Sequence, residues 1–484
     1  MRALGHRMVD DMFAYLQNLR DRPVWQPMPD EVRARFQEPA PSGPTAPGRV
    51  YEDFLETVLP YVTGNAHPRF WGWVCGQGIP IAMLAELLAG AIDSSVDGFD
   101  DAGTHVEAQV IEWCKTMLGY RSQASGLLVS GCSMANFVGL AVARNTVARD
   151  AAHLADSVDV KHRGLAGFAP MTVYASTEGH SSLQKAVQLL GLGTDGLRKV
   201  PVDAGYRIDL AALEAAIAAD RAAGRRPLCV VGNAGTVNTG AIDDLPALAD
   251  LAAREDLWFH VDGAFGACAA LSPGLRPLVA GLERADSIAF DLHKWMYFPY
   301  EAGCALVRSD AEHREAFRYE AAYMAPATRG LAAARSQQFT EYGPQLSRGF
   351  RALKLWMGIK EHGLDRFRVL IEQNVEQAAY LGRLVEESSE LELLAPVSLN
   401  VVCLRYRGGL EPDDPRLNPL NQELLARLQE SGVAVPSHTV LEGRFAIRVS
   451  NTNHRTLSTD FDLLVAEVER LGRDLEKADS ESAQ

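Results

Sequence analysis

Apolar residues recur at helical spacing near the start of the chain, where Met8, Met12, Phe13, Leu16 and Leu19 mark one face of an amphipathic helix running from Gly5 to Arg20. From Asp21 to Gly48 the chain is proline-rich and ends in PAPSGPTAPG, which suits neither a helix nor an inner strand and predicts an extended arm. Such a helix and arm can wrap a neighbouring subunit or pack on the chain's own core. Apolar stripes then predict helices in Tyr51 to Tyr61, Ile79 to Ile92 and Val106 to Leu118. Between the first two lies HPRFWGWVCGQG, whose Phe70, Trp71 and Trp73 are either core plugs or the wall of a pocket; the pattern alone favours core.

Beyond Tyr120 the rhythm changes. Short apolar runs at Gly126 to Ser130, Met171 to Ala175, Pro227 to Val231, Leu257 to Val261 and Ser287 to Phe290 read as buried strands. Helical stretches follow several of them, through Ala143, through Leu190 and over Asp243 to Arg254. This alternation predicts an α/β fold with a mostly parallel sheet covered on both faces, with ligands at the carboxyl ends of the strands. Ala302 to Val307 is a further strand. Tyr319 to Gln338 lacks periodicity and predicts a loop. Helices over Gly349 to His362 and Leu364 to Glu387 lead into strands (Leu399 to Tyr406, Phe445 to Val449) alternating with helices (Asn421 to Ser431, Thr459 to Leu475). The expected organisation is an amino-terminal helix and arm over 1–80, a large α/β domain over 81–365 and a small α/β domain over 366–484.

Composition narrows the function. A formal net charge of -15, with no basic stripe, argues against a nucleic-acid or anionic-membrane partner. The seven cysteines are scattered without CxxC spacing, so neither a zinc site nor a disulfide framework is expected, and no metal is assigned. The start of the chain has no continuous apolar segment for secretion, and no later run is long enough to cross a bilayer, so a soluble cytoplasmic enzyme is the expectation.

Candidate chemistry sits at the strand ends. Gly131, Cys132 and Ser133 stand at a strand-to-helix switch, where small residues and free amides make either a phosphate cradle or a plain helix cap. His180 opens another helix, as a cap or as an imidazole able to lie over a planar ring. Asn233, within GNAGTVNTG, is either a donor to a phenolate oxygen or part of a tight turn. Asp262 ends the strand LWFHVD, where a buried carboxylate needs a partner such as a protonated pyridine nitrogen, or else caps a helix. Ala264 is small enough to lie against a ring face. In DSIAFDLHKWMYFPY, Asp291 and His293 precede Lys294, a lysine among aromatic neighbours whose lowered pKa would free its amine to form a Schiff base with a carbonyl.

The segments SGCSMAN, STEGHSS, HVDGAFGA and DLHKW, in this order, resemble the fold-type I pyridoxal-phosphate enzymes of the group II amino-acid decarboxylase family. GHRMVDDMFAYLQNLRDRPV near the start and IRVSNTNHRT near the end extend the resemblance over nearly the whole chain. It implies a large domain with a mostly parallel seven-stranded sheet, a small carboxy-terminal α/β domain, and a homodimer with shared active sites. It further implies that Lys294 carries pyridoxal 5′-phosphate as a Schiff base, that Asp262 pairs with the ring nitrogen, that His180 stacks on the ring, and that Cys132 with Ser133 binds phosphate. Phe70, Trp71 and Trp73 would then line the substrate pocket after all, suggesting an aromatic amino acid, while Asp97, Asp100 and Asp101 would favour a polar one.

Two departures bear on the product. Asn233 stands where many relatives have a threonine near the cofactor hydroxyl. Counting back from SRGFRALKLW places the family's catalytic tyrosine on Phe339, with Tyr342 and Tyr323 nearby. In this family such a loss goes with oxidative formation of an aldehyde. Decarboxylation to an amine is the first expectation, with an aldehyde synthase, or a catalytically silent relative that keeps the cofactor, as alternatives.

Overall fold

The computed structural model describes residues 1–150, 160–319, 328–333 and 338–482. They form two compact units, Gly78–Gln373 and a second made of Met1–Gln77 together with Asn374–Gln484. The amino-terminal segment is therefore not a region of its own.

The larger unit is built on seven strands: β1 (Ser125–Val129), β2 (Met171–Ser176), β3 (Leu197–Val200), β4 (Arg226–Asn233), β5 (Trp258–Asp262), β6 (Ser287–Asp291) and β7 (Gly303–Val307). Their order across the sheet is β1-β7-β6-β5-β4-β2-β3. β7 is antiparallel to both neighbours, and the other pairings are parallel. β1, β2, β5, β6 and β7 are buried along their whole length, as a sheet covered on both faces requires, which explains why they read as unbroken apolar runs. β3 escaped the sequence pattern because it is an edge strand, LRKV, short and incompletely buried, with two cations where an apolar run would be expected. Parallel strands deliver their carboxyl ends to one edge of the sheet, and this is where the loops carrying Cys132, His180, Asp262 and Lys294 emerge.

β7 reaches the same edge with its first residue, because it runs the other way. Gly303 lies opposite Val129 and Asp291, and a Cβ built there would stand 2.5 Å from the Cα of Gly131. Only glycine lets the backbone after β1 close down at this point. The outer edge of β1 is held by side chains: Leu128 N–H donates to Glu107 (3.2 Å), Leu128 C=O accepts from Arg348 (2.7 Å), and Arg348 pairs with Glu107. Both charged residues are fully buried, so each supplies the other's counter-charge. The helix expected to break after His362 runs as Ala352–Glu387 with its interruption at Gly363, where φ is 68°.

The smaller unit has a five-stranded sheet in the order Phe70–Trp71, Val435–Leu441, Arg444–Ser450, Val401–Tyr406, Leu391–Leu393. Phe70 pairs in parallel with Val435, and Trp71 stacks on Phe461 with ring centroids 4.8 Å apart. A two-residue strand has no partner within its own segment, which is why the amino-terminal stretch folds with the carboxy-terminal one. The first helix, Arg2–Gln17, matches the predicted amphipathic element, but none of its residues is fully buried.

Candidate active site

A cavity of about 650 Å³ opens at the carboxyl edge of the large sheet. Its floor is the turn from β1 into helix Cys132–Asp150, to which Gly131, Cys132 and Ser133 all contribute. The amides of a first helical turn have no partner within the helix and carry the positive end of its dipole, so this turn favours an anion. A side chain at position 131 would come within 3.2 Å of the His293 ring, so glycine keeps the cradle open.

Asp262, ending β5, is 5% exposed. Its Oδ1 accepts from the Cys132 thiol (3.3 Å) and from Ala264 N–H (3.2 Å), and its Oδ2 accepts from the Asn136 amide (2.8 Å). Burial, reinforced by the charges of Asp262 and Asp291, pushes the Cys132 thiol well up, so it stays protonated and acts as a donor. Three neutral donors thus fix this carboxylate at the cavity wall, where it can face a cationic ring nitrogen.

His180 stands both at a helix start and at the cavity. It caps helix Ser181–Leu189, its Nδ1 accepting from Ser182 N–H (3.2 Å), and it lines the cavity with an exposed ring. Desolvation lowers its pKa, with Asp262 partly opposing, so the ring is neutral near pH 7. With Nδ1 accepting, the proton sits on Nε2.

The Lys294 amine lies 3.1 Å from Asp291 Oδ2, while Asp291 Oδ1 accepts from the Cys132 backbone N–H (2.6 Å). The lowered lysine pKa expected from apolar surroundings is not found. Burial does push it down, but the carboxylates of Asp291 and Asp262 outweigh this, and the pKa is raised. His293 accepts the Ala302 N–H at Nδ1 (3.0 Å), which puts its proton on Nε2 as well; desolvation lowers its pKa.

Of the remaining sequence candidates, Ala264 lines the cavity. Asn233 does not, among the described residues: its amide donates to Asp243 Oδ2 (3.0 Å) and Ser176 Oγ (3.2 Å), so the expected bond to a phenolate oxygen is replaced by a turn-stabilising one. Phe339 is buried in a short 3₁₀ turn beneath the Arg348 guanidinium (5.2 Å), and Tyr342 donates its hydroxyl to Asp310 (2.7 Å); neither is among the described residues lining the cavity. Tyr323 lies outside the described residues. In the smaller unit Phe70 and Trp71 have the surroundings of core residues, whereas Trp73 is 56% exposed. Asp101 caps helix Ala102–Leu118, and Asp97 accepts from Ser95.

Sequence reasoning passed over Asn136 and His260, both buried behind the cavity wall. The signals were present. Asn136 follows Cys132 by one helical turn, and His260 precedes Asp262 by two strand positions, so each pair shares a face.

These residues suit pyridoxal 5′-phosphate. The helix terminus and Gly131 accept a phosphate, Asp262 answers a protonated ring nitrogen, the exposed His180 ring offers a stacking face, and Lys294 supplies an amine for the aldehyde. Comparison with known proteins agrees. The model of the pyridoxal-dependent decarboxylase conserved domain matches residues 29–407. The aromatic-L-amino-acid decarboxylase of Bacillus atrophaeus is 31% identical over 478 residues, covering 98% of this chain and 96% of that relative. The phenylacetaldehyde synthase of Arabidopsis thaliana is 27% identical, covering 93% of this chain and 91% of its own. The crystal structure of Oryza sativa TDC with PLP and tryptamine superimposes with a TM-score of 0.89 at 26% identity, covering 98% of each chain. A domain match over most of the length, joined to an end-to-end relative, fixes the lineage: this protein belongs to the pyridoxal-dependent decarboxylase family and is a pyridoxal-phosphate-dependent amino-acid decarboxylase.

Proposed function

We propose that the protein decarboxylates an aromatic L-amino acid to the corresponding amine, as a homodimer. The observation that carries the substrate class is the end-to-end likeness to the Bacillus atrophaeus aromatic-L-amino-acid decarboxylase. When bound, pyridoxal phosphate supplies an electron sink for the bond that breaks at the substrate's α carbon.

The chain's own residues do the rest. The Gly131–Ser133 turn and the Nε2–H of His293 hold the phosphate. Asp262 would accept from the cofactor's protonated ring nitrogen. Lys294 would supply the amine that holds the cofactor's aldehyde, and Asp291 at 3.1 Å favours a proton on that amine when it is free. The His180 ring lines the cavity, and its Nε2–H would orient the substrate carboxylate. Formation of the amine requires a proton at the former α carbon. Phe339 packs under Arg348, and the end-to-end likeness to an aromatic-L-amino-acid decarboxylase supports the amine. The amine is therefore the product we assign.

Of the three aromatic candidates in this segment, Trp73 alone is exposed. Trp73 holds a left-handed backbone (φ 51°) uncommon for a bulky residue, with its N–H bound to Ser437 (3.1 Å) and its C=O to Arg448 (2.7 Å). Strain maintained from both sides while the ring stays exposed suits a binding role. The dimer is supported by helix Pro80–Ile92, which exposes Leu87 (60%), Leu88 (46%) and Ile92 (59%) on its surface. All seven cysteines are free, which supports a reducing cytoplasm as the place of work.

The test is to mix holoenzyme with L-tryptophan, L-tyrosine, L-DOPA and L-glutamate. Release of carbon dioxide and amine from an aromatic substrate is expected. Aldehyde, ammonia and hydrogen peroxide together would replace the amine assignment, and turnover of glutamate alone would overturn the substrate class. Lys294→Ala should lose both the visible absorption band and turnover.

A further inference from the structure

Behind Asp262 and His180 runs a hydrogen-bonded chain that no step above has used. Asn136 is its hub. The amide nitrogen lies 2.8 Å from Asp262 Oδ2 and 3.1 Å from Ser182 Oγ, and the amide oxygen lies 2.8 Å from His260 Nε2. His260 Nδ1 in turn lies 2.7 Å from Ser287 Oγ, which accepts from the Trp258 indole N–H at 2.8 Å. On the other branch Ser182 Oγ lies 2.8 Å from His180 Nδ1. Asn136 and His260 have no exposed surface, nor does Ser287, and Ser182 has almost none.

Donor and acceptor roles follow from chemistry. An ionised Asp262 only accepts, so Asn136 must present its NH₂, not its oxygen, to that side. Its oxygen then faces His260, whose Nε2 must be the donor. Burial lowers the His260 pKa to about 4, so the ring is neutral and Nδ1 is left as an acceptor for the Ser287 hydroxyl. The second amide hydrogen of Asn136 goes to Ser182 Oγ, freeing the Ser182 proton for His180 Nδ1. Every donor from Trp258 onward points toward the cavity. Room for this is built in: a Cβ at Gly139, one helical turn after Asn136, would sit 2.7 Å from His260 Cε1 and 3.0 Å from Ser287 Oγ.

We propose that Asn136, backed by His260 and Ser287, is a positioning residue that sets two cofactor-facing groups together, keeping Asp262 an anionic acceptor and His180 in its Nε2–H form. A single amide thereby links the strength of the electron sink to the orientation of the stacking ring. This rests on the pyridoxal-phosphate assignment, which the Lys294→Ala variant tests separately.

The experiment compares Asn136→Asp, His260→Leu and His260→Gln with the wild type, measuring cofactor affinity by absorbance titration, the visible spectrum against pH, and kcat and KM. Asn136→Asp turns a donor into a second carboxylate, and cofactor affinity should fall by about 10-fold to 100-fold, with kcat falling more than KM changes. His260→Leu should share that direction, while His260→Gln, whose amide can stand in for Nε2–H, should recover most of the loss. Unchanged affinity and spectrum in folded Asn136→Asp and His260→Leu would overturn the proposal, as would equal losses in the Leu and Gln variants. Should the variants not fold, ¹⁵N-histidine spectra of the wild-type holoenzyme decide: His260 protonated on Nε2, which turns the Asn136 NH₂ toward Asp262, supports the proposal, and His260 protonated on Nδ1 refutes it.

Discussion

The Lys294 amine stands 3.1 Å from the carboxylate of Asp291, three residues earlier in the same turn. That carboxylate's other oxygen holds the backbone N–H of Cys132 at 2.6 Å, so one side chain ties the lysine to the floor of the phosphate cradle. Before cofactor binds, Asp291 is thus the counter-charge of an ammonium. Burial opposes this charge, but Asp291 wins, which leaves the lysine with its pKa raised and its lone pair occupied.

Asp291→Asn should therefore change how the apoenzyme captures its cofactor. The asparagine oxygen can still accept from Cys132, but the charge that raises the lysine pKa is gone, so the amine becomes free at lower pH. Mixing apoenzyme with pyridoxal phosphate across pH 6 to 9 and following the visible band should show a loading profile displaced to lower pH. A profile identical to the wild type would show that Asp291 does not control the lysine.

Acid should destabilise the protein before its carboxylates titrate. His260 and His313 are fully buried, and desolvation lowers their pKa values to about 4 and about 3. In the unfolded chain an ordinary histidine titrates near 6.5. Below about pH 6.5 the unfolded state takes up protons that the folded state refuses, so stability is full above that pH and declines as pH falls toward 4. Calorimetry should record a falling Tm over this window. His313→Gln, which can retain a donor to the Tyr342 carbonyl now bound by Nε2 at 2.8 Å, should flatten the decline.

Arg348→Met should cost about 3–5 kcal/mol of stability, because it leaves Glu107 buried without a counter-charge. It also removes the shorter of two side-chain hydrogen bonds to Leu128 C=O, three residues before Gly131, leaving the one from Arg351 at 3.3 Å. A lower denaturation midpoint with weaker cofactor binding is expected. The double variant Arg348→Met with Glu107→Gln should recover part of the stability, a pattern that a simple packing defect would not produce.

The product assignment can be checked at the tyrosines. Phe339→Tyr should leave the product an amine, since position 339 packs beneath Arg348. Tyr342 is tied to Asp310, and burial raises its pKa, so Tyr342→Phe should lower stability without changing the product. By elimination Tyr323→Phe is the substitution expected to divert turnover to aldehyde and hydrogen peroxide. An amine from the Tyr323→Phe enzyme would refute this.

Much of the larger unit was legible because its strands are buried on both faces. β1, β2, β5 and β6 show as apolar runs, and the residues following them are the ones a parallel sheet must gather at one edge. The edge strand β3 and the two-residue strand Phe70–Trp71 did not show, since their stability comes from neighbours and not from a pattern of their own. The substrate wall was harder still: Phe70 and Trp71 look alike in sequence whether they plug a core or face a ligand, and their burial alone distinguishes the surroundings.

Sequence by itself determined the alternation of strand and helix and the order of the cradle, the histidine, the acid and the lysine, because these depend on side-chain size, polarity and local backbone preference. It could not determine the charge of Lys294, the turning of the Asn233 amide toward Asp243, or the convergence of Asn136 and His260 behind Asp262. Asn136 and Asp262 lie 126 positions apart, and even Lys294, three residues from Asp291, takes its charge from how deeply the fold buries the pair. Strand register brings such groups within hydrogen-bonding reach, and at those distances desolvation and charge together set the protonation of the site.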